Sequence, residues 1–293
     1  MDTPSISIGL PVYNGASFLA DALDSLLAQT YQDFELVISD NCSTDSTLEI
    51  CKKYACLDSR IRWISQSENM GPIPNFCFLL QQSSSPYFMW AAADDLWSPN
   101  YLQEAISLLE HSTAAFYAAA PYKCCSITSP LFSRRTSNCL EIVTIASSTE
   151  RLKAYAGMPL SWHKDNLIYA LYRTDFLKNC VEELSVRVLG RRFIGGPIND
   201  LIVFQGKGVF VPGVKFYKRY NLFPPRGVFD HAMSRVMSIP RRLRGLVARG
   251  DIAFPPHVPS ASELEYVSNL KKVFEYASLT EEETESLVES YLA

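Results

Sequence analysis

Asp94 and Asp95 stand side by side at the end of an apolar run, Tyr87 to Ala93, within the segment W-A-A-A-D-D-L-W-S-P. The run is short enough for a buried strand, so charge arrives where the strand stops. Ser98 is placed to cap a new helix with Pro99 at its first position, which leaves neither aspartate needed for capping. Two carboxylates at the C-terminal end of a parallel strand suit a divalent cation, because Mg2+ is usually held by one or two carboxylates and completed by phosphate oxygens and water. A solvated acidic turn would carry the same letters, and the surrounding elements decide between the two.

Those elements alternate. Ser5 to Leu10 reads as a strand broken by Pro11-Val12-Tyr13-Asn14-Gly15, and Leu19, Ala22, Leu23, Leu26 and Leu27 then share one helical face. Phe34 to Ser39 is a second strand that runs into Asp40-Asn41-Cys42-Ser43-Thr44-Asp45, followed by a helix with Ser46 and Glu49 spaced as a capping box. Ile61 to Ser65 is a third strand, Asn69 to Pro72 a turn, and Pro74 to Gln82 a short helix. After the acidic pair, Leu102, Ala105, Ile106 and Leu109 line another helix. Such alternation predicts an α/β fold, a mostly parallel sheet flanked by helices, with ligands beyond the C-terminal strand ends. Tyr13, Asp40 and Asp94–Asp95 would then share one edge. The first strand-to-helix loop holds no G-x-G-x-x-G and the chain no P-loop, which argues against a dinucleotide site and a Walker-type NTPase.

The chain has 293 residues, 47% hydrophobic and 20% charged, as expected of a globular protein with a sizeable core. A net charge of −4 gives no overall pull toward nucleic acid. No apolar segment reaches the length of a bilayer span, and the N-terminus lacks a basic region followed by an apolar core, so a cytoplasmic location is expected. The eight cysteines form no C-x-x-C and mostly sit in apolar patterns, which predicts reduced core thiols.

Taken in order, P-V-Y-N-G, S-D-N-C-S-T-D-S-T, the N-x-G-x-x-x-N spacing of Asn69, Gly71 and Asn75, and A-D-D-L-W-S-P resemble the family 2 glycosyltransferases of GT-A fold. The match is close over residues 1–110 and looser to about residue 220. The resemblance implies a nucleotide-diphosphate sugar donor, UDP-linked by expectation, a divalent metal (Mg2+ or Mn2+), and inversion at the sugar carbon. It places Pro11, Tyr13, Asn14, Asp40, Asn69, Asn75 and Asp94 in the nucleotide-sugar site. A uracil needs a flat apolar surface and an acceptor for its ring N–H, which Tyr13 and Asp40 could supply. The other readings are a tyrosine packed in its own turn and an aspartate closing an Asx-turn. Asp45 could equally tune a helix N-terminus. Many relatives write the metal motif D-x-D, and Ala92 takes the place of the first aspartate here. In relatives with an adjacent pair the first contacts the nucleotide and the second the metal. By that likeness Asp94 serves the ribose or diphosphate and Asp95 the cation.

Past Ala114 the pattern loosens, as expected where a variable acceptor is recognised. Ala114 to Ala120 and Leu167 to Tyr172 read as strands, and Ser147 with Glu150 opens a helix. Inverting transfer needs a base for the acceptor hydroxyl. The family supplies an acidic residue at the start of a late helix, and Asp200 in G-G-P-I-N-D-L-I-V-F is the match; a simple N-cap is the competing reading. Trp162 and His163 precede the second of those strands, where relatives place acceptor-contacting side chains, and a packed aromatic pair is the alternative. Arg191 and Arg192 could steady a phosphate or lie on the surface.

Two units are expected: a catalytic domain over 1–220, with a nucleotide-sugar half (1–110) and an acceptor half (111–220), and a helical extension over 221–293. Within the extension, residues 231–250 carry an arginine-rich, partly apolar stripe. It would either dock on the catalytic domain or lie on an anionic membrane and bring the enzyme to a lipid-linked acceptor. Ser260 with Glu263, and Thr280 with Glu283, open two more helices, the last of them acidic. The function expected is transfer of a sugar to a hydroxyl of a glycan, lipid-linked saccharide or small molecule. A non-catalytic nucleotide-sugar binder on the same fold is the alternative, and a nucleotidyltransferase is disfavoured because Pro11 to Gly15 holds no Lys or Arg.

Overall fold

A computed structural model describes residues 3–126, 133–136, 139–158, 164–187, 195–214, 216–220 and 261–292. In chain order the strands are β1 (Ile6–Val12), β2 (Phe34–Asp40), β3 (Ile61–Ser65), β4 (Tyr87–Trp90), β5 (Leu96–Trp97), β6 (Tyr117–Ala119), β7 (Tyr122–Ser126), β8 (Ser133–Thr136), β9 (Leu171–Arg173), β10 (Gly208–Phe210) and β11 (Phe216–Tyr220). The helices are α1 (Leu19–Leu27), α2 (Thr47–Leu57), α3 (Pro72–Gln81), α4 (Tyr101–His111), α5 (Ser148–Ala156), α6 (Thr174–Arg187), α7 (Gly195–Gln205), α8 (Ala261–Tyr276) and α9 (Glu281–Leu292).

Seven strands form the main sheet in the order β10-β6-β9-β4-β1-β2-β3. All its pairs are parallel except those of β9, which runs against both β4 and β6. Both faces are buried, and the side chains divide between them by the period of two that a strand imposes. Ile6, Ile8, Leu10, Leu36, Ile38 and Met89 meet α1 and α4 on one face; Val37, Phe88 and Trp90 meet α3, α6 and α7 on the other. A second sheet, β5-β11-β7-β8, packs beside the first, with β5 antiparallel to β11. Trp97 and Phe216 stack there, with centroids 6.4 Å apart.

The apolar faces expected of α1 and α4 are the buried ones. Several local expectations are corrected. Ser46 makes no side-chain cap on α2; Asp45 accepts the Thr47 N–H instead, at 3.0 Å. Likewise α4 starts at Tyr101, beyond Pro99, because Leu96–Trp97 is taken up as a strand against β11. Leu167 lies in a 3-10 segment, Lys164–Tyr169, and the strand begins at Leu171. The capping interactions at Ser147–Glu150 and Thr280–Glu283 are made.

Of the C-terminal helices, α8 and α9 dock on α5 and α7. Leu152 and Ala156 pack with Phe274, Ala277 and Val288, and Phe204 meets Tyr276 edge-on at 5.7 Å. The 231–250 stripe, Ser260, Arg191, Arg192, Trp162 and His163 lie outside the described residues. No helix among the described residues is long and apolar enough to cross a membrane. Five of the described cysteines are free thiols, and two of them, Cys51 and Cys180, are buried, while Cys56 is exposed. Burial pushes the Cys51 and Cys180 thiols up to about 12.

Candidate active site

Parallel register sets the site. Val12 pairs with Asp40, Asp40 with Ser65, and Gly9 with Trp90, so β1, β2, β3 and β4 end on one edge of the sheet. Beyond β1, Tyr13 is 49% exposed, so about half of it is open to solvent. Asp40, by contrast, is 1% exposed and accepts through Oδ1, at 3.2 Å, the N–H of Ser43, three residues on and so one beyond the reach of an Asx-turn. An exposed ring thus stands beside a carboxylate held at the strand end.

Side chains tie the loops together. Asn14, at φ +51°, accepts the Thr44 N–H at 2.8 Å while its own N–H donates to Ser43 Oγ. Left-handed backbone is tolerated there because an asparagine side chain satisfies its neighbourhood locally. Asp45 accepts N–H groups from Ala16 and Thr47, and also the Thr47 hydroxyl. Its burial acts upward on its pKa, yet the hydrogen bonds from Thr47 and Ala16 bring it below the usual carboxylate value. Asp45 is therefore a strut between the first two loops and the start of α2. Pro11 lies at the end of β1, opposite Ser39.

The third loop is held by Asn41, a residue the motif reading passed over. It donates to Asn69 Oδ1 and the Gly71 carbonyl, each at 3.0 Å, and accepts the Met70 N–H. Its position directly after a strand-ending aspartate was the available signal. Asn69 is exposed at the rim and also accepts the Gly71 N–H. Asn75 is 2% exposed and bonded to Ser39, which places it beneath the site and not on its surface.

The two adjacent carboxylates differ sharply. Asp94 is exposed, whereas Asp95 is 0% exposed. Asp95 Oδ1 accepts the Arg219 N–H at 3.0 Å, and its Oδ2 lies 3.8 Å from the Lys218 ammonium and makes no hydrogen bond. Burial pushes the Asp95 carboxyl up to about 7; Lys218 opposes this and the charge of Asp94 adds to it. The division of labour expected from the sequence is thus at odds with the burial, since Asp94 is the carboxylate open to solvent. Lys218 and Arg219, which set this arrangement from β11, were not singled out by the sequence.

Asp200 lies inside α7, five residues after Gly195, so it is not the N-cap of that helix. It is 0% exposed. Helix α7 packs against α5, α6, α8 and the 3-10 segment before β9, and so belongs to the far half of the molecule.

Residues 7–166 match the model of the family described as glycosyl transferase family 2. The chain belongs to glycosyl transferase family 2. The matched residues span more than half of it and include Tyr13, Asp40, Asp94 and Asp95, but stop short of Asp200 and β11. Over 113 residues, 39% of this family 2 chain and 45% of the relative, it is 29% identical to a putative teichuronic acid biosynthesis glycosyltransferase, TuaG, of Bacillus subtilis. Over 107 residues it is 34% identical to an uncharacterized glycosyltransferase of Rickettsia typhi, covering 36% of this chain and 32% of that one. The chain thus matches less than half the length of these curated relatives. In fold it resembles TarS of S. aureus, with a TM-score of 0.57 at 16% identity over 97% of this chain and 50% of that one. It also resembles the mannosyltransferase PcManGT of Pyrobaculum calidifontis, with a TM-score of 0.53 at 15% identity over 99% and 80% of the two chains. The architecture is the GT-A-like α/β fold that the motifs imply.

Proposed function

We propose that this chain transfers a sugar from a nucleotide-diphosphate donor to an acceptor hydroxyl, with inversion at the transferred carbon. The observation that carries the proposal is the shared edge of β1, β2 and β4, which brings an exposed aromatic ring, a strand-end carboxylate and an exposed carboxylate to one side of the sheet. Tyr13 offers its face to the base, Asp40 accepts the base N–H, and Pro11, Asn14 and Asn69 shape the rim. Asn75 acts from below by holding Ser39, the residue before Asp40. The structures of relatives bear on the donor: TarS was solved with UDP and with UDP-GlcNAc, and PcManGT with GDP-Man and Mn2+. A UDP-linked donor is our reading, with a glycan or lipid-linked saccharide as acceptor.

The acidic turn fits a divalent cation. Asp94 presents an exposed carboxylate, and behind it Asp95 keeps one buried oxygen without a hydrogen bond. No cluster of three metal-ligating side chains occurs among the described residues. Mg2+ or Mn2+ asks for one or two carboxylates, because phosphate and water complete its shell. Asp94 would hold it, with Asp95 anchored behind. Such an ion supplies neutralisation of the charge that develops on the departing diphosphate. Asp200 is the proposed base, taking the proton of the attacking hydroxyl.

The test is a thermal melt with UDP, GDP, CDP and dTDP, with and without Mn2+, on the native protein and on Asp94→Asn. Ligand at about 100 times its dissociation constant adds about 2.7 kcal/mol, a clear shift. Stabilisation by one nucleotide that needs both Mn2+ and Asp94 is the expected result; stabilisation by none of them would overturn the proposal.

A further inference from the structure

A nucleoside diphosphate has a fixed reach, so a site that grips it at both ends must hold those ends at a fixed separation. The two ends lie on different loops here: Tyr13 between β1 and α1, and Asp94 between β4 and β5. The ladder between β1 and β4 ends at Gly9 and Trp90, well before either residue. The loops come close, since a Cβ on Gly15 would lie 3.6 Å from that of Ala93, but strand pairing does not join them.

Ser25, late in α1, and Gln29, just past it, hold the Trp97 N–H and the Ser98 carbonyl beyond the turn; at the start of α1 the tie to the turn itself is Arg219, reaching in from β11. Its guanidinium donates from Nη2 to the Phe18 carbonyl at 2.9 Å, from Nη1 to Asp21 Oδ2 at 2.6 Å, and from Nε to the Asp94 carbonyl. Its backbone N–H holds Asp95 Oδ1. The side chain is 11% exposed, and its guanidinium carbon lies 5.3 Å from the centre of the Phe18 ring. One planar fork therefore joins the entry to α1, where the Tyr13 loop ends, to the backbone of the acidic turn. Three acceptors met by three separate nitrogens, Nε, Nη1 and Nη2, suit the spread of a guanidinium better than the single nitrogen of a lysine.

We infer that Arg219 is a positioning residue that sets the separation between the base-holding and diphosphate-holding ends of the donor site. The inference rests on the donor-site reading given above. Arg219 touches neither end of the donor in this scheme; it acts through the Asp94 backbone and α1. Its loss should therefore penalise ligands that span both ends and spare those held at one.

Calorimetry of UMP, UDP, GMP and GDP, each with Mn2+, on the native protein, Arg219→Ala, Arg219→Lys and Asp21→Ala tests this. The preferred diphosphate should bind about tenfold more weakly to both Arg219 variants, while its monophosphate stays within about twofold. Lysine should recover little, because its three donors sit on one nitrogen and do not span what Nε, Nη1 and Nη2 reach separately. Asp21→Ala removes the acceptor of one arm outside the site, leaves the other bonds in place, and should give a smaller loss confined to the diphosphate. Equal weakening of monophosphate and diphosphate, or no weakening in the Asp21 and Arg219 variants, would overturn the inference. Native protein that binds none of the four nucleotides would overturn the donor-site reading together with it.

Discussion

Asn75 and Ser39 are joined at two points: the Ser39 hydroxyl donates to Asn75 Oδ1, and Asn75 Nδ2 donates to the Ser39 carbonyl at 3.1 Å. This pair fixes α3 to the last turn of β2, one residue before Asp40. Asn75→Ala leaves a buried carbonyl and hydroxyl short of partners, so it should destabilise the protein by about 2 kcal/mol in urea unfolding. Nucleotide binding should weaken with it, since Asp40 loses its fixed neighbour. Unchanged stability would show that the pair is dispensable.

Tyr13 offers the opposite case. Its ring is half exposed, so Tyr13→Ala should leave the melting temperature without nucleotide almost unchanged. Removing a stacking surface for a base costs about 1–3 kcal/mol of binding. UDP affinity should therefore fall at least about fivefold, and Tyr13→Phe should retain most of it. Titration calorimetry on the three proteins decides the matter.

Arg151 is buried at 2% exposure, and its guanidinium donates to the carbonyls of Ile145, Ala146, Val203 and Phe204. Burial acts downward on its pKa. Two of those carbonyls lie in the last turn of α7, where a positive charge meets the negative end of the helix dipole. Arg151→Ala should cost about 3 kcal/mol of stability in chemical denaturation, and Arg151→Lys should restore part of it. Because α7 carries Asp200, turnover should fall more than donor binding does.

At the C-terminus, Glu283 is held down at about 2, chiefly by the hydrogen bond from the Lys153 ammonium and then by the Thr280 N–H. A depressed carboxylate contributes stability above its unfolded value near 4.3, and that contribution is lost as pH falls through its folded value. Docking of α9 should therefore weaken between about pH 4 and pH 2, read by hydrogen exchange in α9. In Glu283→Gln that part of the pH dependence should disappear.

The donor half was legible because its signals are local. Alternating apolar runs, one helical face per crossover and turn residues after each strand all agree over the first 110 residues, and the parallel β4-β1-β2-β3 part of the sheet follows from them. What escaped the sequence depends on distant partners. Asp94 and Asp95 look alike in a row of letters, and they part because β11, 124 residues further along, supplies the backbone N–H that takes Asp95 into the interior. Arg219 escaped for the same reason: in Y-K-R-Y it reads as a charged strand end, and its acceptors lie at Phe18, Asp21 and Asp94. The two missed caps have different causes. Asp45 outcompeted Ser46 for the free N–H of α2, and strand pairing at Leu96–Trp97 displaced the start of α4.

Asp21 and Arg219 are 198 residues apart in the chain. Synthesis proceeds from the N-terminus, and contacts of long sequence separation form last because closing the loop between them costs entropy. The strands β1 to β4 can pair as soon as they leave the ribosome, and Ser25 and Gln29 can hold Trp97 and Ser98 beyond the acidic turn, yet the Asp94 backbone is not tied to the start of α1 until β11 has emerged. Assembly of the donor site is thereby timed by translation: the half that would grip a nucleotide is completed by β11, the last strand of the acceptor half, so both halves are present when the site closes.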